Sequence, residues 1–151
     1  MSAPTAHDPN PFLRTDAAED LLVDLRQATD GRTGDRLSAA IRAVTTSGSR
    51  LPAGAVDAAI AAITLLLTEY DPGLLDGAAD EDALRGWLHH VDTELTPGRQ
   101  LAARAALDRI EVDIDNEWYV AHREAGTLRP ALASLHRLRD GLADAGSGLS
   151  H

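Results

Sequence analysis

Apolar positions along this chain recur at helical spacing almost throughout, and one stretch stands apart from the rest. Ala53–Tyr70 reads AGAVDAAIAAITLLLTEY; between Ala58 and Leu67 no side chain is charged and only Thr64 is polar. A membrane crossing needs about 20 such residues, so a run of about half that length predicts a core helix. A helix that is apolar nearly all round must be enclosed on most sides. Its large side chains are Ile60, Ile63, Leu66 and Leu67, each contributing roughly 1.5–3 kcal/mol when fully buried. The alanines between them allow neighbouring helices to come close.

The rest of the pattern supplies those neighbours. Ala18, Leu21, Leu22 and Leu25 form one stripe, entered through a cap at Thr15 or Asp16 and ended by Thr29-Asp30-Gly31. Glu19 completes a capping box if the cap is Asp16, and Phe12 folds back over the stripe as an apolar plug. A second helix opens at Asp35, turns Leu37, Ile41 and Val44 inward, and stops at Ser47-Gly48-Ser49. Pro52 falls where the first turn of the central helix tolerates proline, and Asp71-Pro72-Gly73 breaks the chain. Leu74 and Leu75 pin the link to a fourth helix, capped by Asp80, with Glu81 and Asp82 at the end where the helix dipole favours anions. Its apolar face is Leu84, Trp87, Leu88 and Val91.

Thr96-Pro97 is a cap followed by proline at the first helical position. The fifth helix it opens runs through Ala103, Leu107 and Ile110 to Ile114. Asp115 or Asn116 caps a short sixth helix with Trp118, Ala121, His122 and Ala125, closed by Gly126. Pro130 starts the last helix, striped by Leu132, Leu135, Leu138 and Leu142. No alternating β-branched run suggests a strand, and no repeat of solenoid length stands out. The expected fold is all-α, a single compact bundle of six to seven helices around a central apolar helix. Residues 12–142 form this helical domain, 1–11 a mobile lead-in and 143–151 a flexible tail.

Composition narrows the chemistry. Of 151 residues 44% are hydrophobic but only 3% aromatic, so the core is aliphatic. A net charge of −10 disfavours generic binding to nucleic acid or an anionic membrane and attracts a basic partner. The absence of Cys excludes disulfides, thiolate catalysis and Cys-based zinc sites. The opening MSAPTAHDPNPF has neither the basic nor the apolar region of a secretion signal, which predicts a cytoplasmic protein.

The densest polar cluster is Asp113-Ile114-Asp115-Asn116-Glu117. Asp113, Asp115, Glu117 and Glu124 match positions one, three, five and twelve of a calcium loop, with Val120 at the apolar eighth. Trp118, however, holds the sixth, where the tight turn requires Gly. An acidic cap at a helix N-terminus is the simpler reading. His89 and His90 diverge on a helix. His90 with Glu94, and His136 with Asp140, offer two ligands each without naming the third that a catalytic zinc requires. No Gly-x-Ser-x-Gly turn and no phosphate-binding glycine loop is present. Neither a catalytic group, a metal nor a cofactor is therefore expected.

What is left is recognition by surface. Trp118 and Tyr119 beside Asp113, Asp115 and Glu117 place aromatic anchors within an acidic ridge suited to a basic protein partner. The competing reading puts Trp118 in the core and Tyr119 at its rim. The expected function is a non-enzymatic interaction module, an immunity- or antitoxin-like binder of a basic partner. The alternative is a metal- or small-ligand-binding helical protein, or an enzyme, using His and carboxylate residues.

Several segments resemble a bacterial family catalogued as domain of unknown function 4259. They are the opening Pro11-Phe12-Leu13-Arg14-Thr15-Asp16-Ala17-Ala18-Glu19-Asp20-Leu21-Leu22, the Ala-rich stretch from Leu51 to Leu67, and Leu101-Ala102-Ala103-Arg104-Ala105-Ala106-Leu107-Asp108-Arg109-Ile110. Asn116-Glu117-Trp118-Tyr119 and Leu135-His136-Arg137-Leu138 complete the set. The lead departs from that family's Trp-Gly-x-Gly, reading Ala6-His7-Asp8-Pro9-Asn10. The resemblance implies an all-helical bacterial protein and carries no established activity.

Overall fold

The central helix forms because fifteen residues of high helical propensity and low polarity run uninterrupted from Ala53 to Leu67. In the computed structural model, which describes residues 10–28, 31–48, 50–78 and 80–149 with side chains as far as Ala145, this helix is the axis. Among the described residues the fold has seven α-helices: α1 Asp16–Gln27, α2 Thr33–Thr45, α3 Ala53–Leu67, α4 Glu81–Leu88, α5 Pro97–Val112, α6 Glu117–Ala125 and α7 Leu128–Leu149. A 3-10 turn, Pro72–Leu75, links α3 to α4, and no strand occurs among the described residues. The chain is an all-α bundle, as its apolar spacing predicts.

Helices α1 and α2 pack along α3, as do α6 and α7, while α5 bridges α2 and α7. Every residue of α3 from Ala59 to Leu67 is buried, including Ile60, Ile63, Leu66 and Leu67. Thr64, the polar residue inside this run, donates its hydroxyl to the Ile60 carbonyl at 2.8 Å, so its burial leaves no unmet donor. At the far end α7 comes close to α3 through Gly141, where an added Cβ would lie 3.2 Å from Leu67 Cδ1.

Two buried asparagines tie the loops. Asn10 Nδ2 donates to the carbonyls of Leu74 (2.6 Å) and Asp76 (2.9 Å), while its Oδ1 accepts from the amides of Phe12 (2.7 Å) and Leu13 (2.9 Å). One amide thereby clamps the start of the domain onto the 3-10 turn. Phe12 is buried in the core, with the Arg137 guanidinium 5.8 Å from its ring centroid. Asn116 Nδ2 donates to the carbonyls of Ile110 (3.0 Å) and Asp113 (2.7 Å), and its Oδ1 caps α6 by accepting from Tyr119 N at 2.7 Å.

Several boundaries differ from the sequence reading. Helix α5 ends at Val112, where Asn116 takes up the Ile110 carbonyl that would otherwise pair with the Ile114 amide, and Ile114 faces solvent. Helix α7 begins at Leu128, ahead of Pro130, since the first turn of a helix needs no donor from its amides. It also continues through 143–149, the stretch expected to be a flexible tail, and buries Ala145. Asp80 precedes α4 with φ 53 and ψ 43 and makes no side-chain cap; Glu81 instead accepts from the Gly77 amide at 3.1 Å. The expected lead-in up to Pro9 and the Thr29-Asp30 stop lie outside the described residues.

Candidate functional site

The acidic stretch 113–117 forms the corner between α5 and α6. Its backbone is fastened to the linker before α3: Arg50 Nε donates to the Asp115 carbonyl at 2.6 Å, and Glu117 N donates to the Leu51 carbonyl at 2.9 Å. Glu117 Oε1 also accepts from Ala53 N at 3.4 Å, meeting an amide at the uncapped start of α3. Of the five ridge residues, Asp115 and Glu117 are exposed and Asp113 is part-exposed. Tyr119 is half-buried against the core. Trp118 is only 3% exposed and is no surface anchor, because the first turn of α6 directs it inward toward α3. The apolar surface of the corner comes from Val112, 79% exposed and not singled out by the sequence pattern, and from Ile114, 51% exposed although its spacing continues the fifth helix's apolar run.

Among the described residues neither histidine pair gains a third ligand. Helix α4 stops at Leu88, so His90 and Glu94 lie on a loop and lack helical i,i+4 spacing. His136 Nε2 approaches Glu111 Oε1 at 3.7 Å across the α5–α7 contact. No group of three His, Asp or Glu side chains arranged to hold a metal occurs among the described residues.

On the buried side of Trp118 lies a cleft of about 640 Å³ between the start of α1, α3, α6 and α7. Asp57, the one charged residue of α3, lines it. Burial raises the Asp57 carboxyl from its ordinary 3.8 to about 6, and a hydrogen bond from the Trp118 side chain opposes part of that rise. His122 stands one turn beyond Trp118, their ring centroids 4.6 Å apart with planes at 65°. Its Nδ1 is 2.8 Å from Thr127 Oγ1. Burial lowers its pKa, which favours the neutral imidazole at pH 7. Trp118 thus neighbours both a carboxyl and an imidazole that line the same cleft.

No family model, curated protein or solved structure matches the chain. The likeness to the domain of unknown function 4259 family therefore stays a resemblance. A further hollow of about 750 Å³ opens beside α4. Its Arg85 is already committed to Asp76 and Glu81, both at 3.0 Å. Asp57 was the signal that sequence reasoning passed over: a lone carboxylate at the edge of an otherwise uncharged helix. For His122 the spacing places it one turn from Trp118 on the sixth helix, and nothing along the chain marks its place in a cleft.

Proposed function

We propose that this protein is a non-enzymatic binding module that recognises a basic protein partner through the α5–α6 corner. The observation that carries the reading is the alternation there of exposed Val112 and Ile114 with Asp113 and Asp115. Apolar side chains supply contact area, and the surrounding carboxylates steer and orient a cationic partner. The net charge of −10 extends the same attraction over the whole molecule. The fastening of the corner to the α3 linker supports a preformed surface, which lowers the ordering cost of association. In its most concrete form the module is an immunity- or antitoxin-like binder, neutralising a basic bacterial effector inside the cytoplasm. No described helix is long and apolar enough to cross a membrane.

The test is affinity capture from the native host at low salt with three baits: the native chain, Val112→Ser with Ile114→Ser, and Asp113→Asn with Asp115→Asn. A basic protein retained by the native chain and lost from both double variants is the expected result. Retention equal on all three baits, or no retained protein, would overturn the proposal.

A further inference from the structure

The cleft behind Trp118 carries an inference of its own, which does not rest on the partner proposed for the corner. Among the described residues four ionisable side chains line it: Arg14 just before α1, Asp57 from α3, Asp76 from the turn after the 3-10 segment, and His122 from α6. Three of them are already occupied or uncharged. Arg14 donates to the Gly77 carbonyl at 3.3 Å and approaches Glu19 at 3.7 Å. Asp76 pairs with Arg85 at 3.0 Å. His122 is held toward its neutral form by burial and is hydrogen-bonded to Thr127.

Asp57 is different. Its one assigned partner is the Trp118 indole, and among the described residues no cation compensates it. A single N–H donor uses only part of the acceptor capacity of a carboxylate. A part-buried charge without a counter-ion carries a desolvation cost that an arriving cation would offset. The walls beside it are apolar: Ile60 from α3, with Pro130 and Ala131 from α7. A volume of about 640 Å³ lies within the usual range for small organic ligands.

We infer that this cleft binds an ammonium group carried on a short apolar body, with Asp57 as its counter-charge and the Ile60, Pro130 and Ala131 wall receiving the body. The Trp118 indole holds the carboxylate in place, and His122, packed on Trp118, closes the side of the cleft without adding charge. The ammonium group comes either from a free organic amine or from a lysine side chain of another protein. The chemistry at Asp57 is the same.

The experiment is calorimetric or NMR titration of the full chain with phenethylamine, against its neutral isostere 2-phenylethanol and the anion 3-phenylpropionate. N-acetyl-lysine amide represents the protein-borne source. The amine is expected to bind about tenfold or more tightly than the alcohol, the ordinary worth of a hydrogen bond to a charged group. That preference fades as Asp57 is protonated below about pH 6 and is abolished in Asp57→Asn. Ala131→Phe, which fills the cleft and leaves the carboxyl in place, removes binding of all probes. Tighter binding of the lysine amide assigns the site to a protein side chain; tighter binding of phenethylamine assigns it to a free amine. Equal binding of amine and alcohol, preference for the anion, an amine preference that survives Asp57→Asn, or no binding by any probe would each overturn the inference.

Discussion

Asp57 gives the sharpest prediction, because its environment sets both the sign and the pH window of its effect on stability. The carboxyl titrates near 3.8 in the unfolded chain and at about 6 in the folded one. Between those values the folded protein keeps a proton that the unfolded chain has lost. Stability therefore falls as pH rises through the window, and the loss is complete above about pH 6. At about 1.4 kcal/mol per tenfold, the full difference amounts to roughly 3 kcal/mol. Asp57 is only part-buried, and solvent screening reduces the expected penalty to about 1.5 kcal/mol. Asp57→Asn keeps the shape and an acceptor for the Trp118 indole while removing the titration. The variant should be more stable than the native chain by about 1.5 kcal/mol at pH 7.5, raising Tm by roughly 3–6 °C for a chain of this size. At pH 3.5 the gain should vanish. Urea unfolding of both proteins at several pH values measures the difference, in which every other carboxylate cancels. A gain that is the same at pH 3.5 and 7.5, or a variant less stable at pH 7.5, would refute the reasoning.

Three further substitutions probe the fold that holds the cleft and the corner. Asn10→Ala leaves two amides and two carbonyls without their buried partner and should cost about 2–4 kcal/mol in urea unfolding. Asn116→Ala removes the α6 cap and the ties to Ile110 and Asp113; about 2–3 kcal/mol should be lost, with faster hydrogen exchange at the Tyr119 amide. Gly141→Val forces side-chain atoms onto Leu67, where a single Cβ already meets Cδ1 at 3.2 Å, and should lower stability by about 1–3 kcal/mol in thermal melts.

How far the sequence could be read depended on whether a residue's role was local. Thr15, Thr96 and Asn116 are caps whose side chains accept from amides three residues on, and the pattern located all three, two of them with one alternative each. Gly126 closes α6 in the left-handed region at φ 75, as a glycine after a short helix suggests. The core stripe of α3 was equally plain, because no other arrangement hides nine consecutive apolar or near-apolar residues. The errors came where something other than apolar spacing decides. Ile114 keeps helical spacing with Ile110, but Asn116 ends the helix before Ile114 can turn inward. The run Ala143–Leu149 is small and weakly apolar, yet extending an existing helix is far easier than starting one, and burial of Ala145 adds to it. The cleft was hidden for the same reason. Its residues come from stretches around 10–15, 57–60, 76, 118–134 that have no pattern in common along the chain.

The position of Trp118 changes what its acidic surroundings imply. With the indole exposed, the ridge would be an aromatic anchor dressed with carboxylates. With the indole inward, the same residue divides two surfaces: its backbone belongs to the corner that carries Glu117, and its side chain holds Asp57 in the cleft behind. Glu117 reaches the first amide of α3, and Asp57 stands one turn further along that helix. A cation bound at Asp57 and a basic partner at the corner would therefore both act on the same first two turns of α3. An uncompensated carboxylate in an alanine-rich helix lowers stability where Ala or Asn would not, and such retained costs concentrate where binding or chemistry requires them. If the carboxylate is there to receive a cation, the native chain should gain more thermal stability from phenethylamine at pH 7.5 than Asp57→Asn does, so that the variant's stability advantage shrinks as ligand concentration rises.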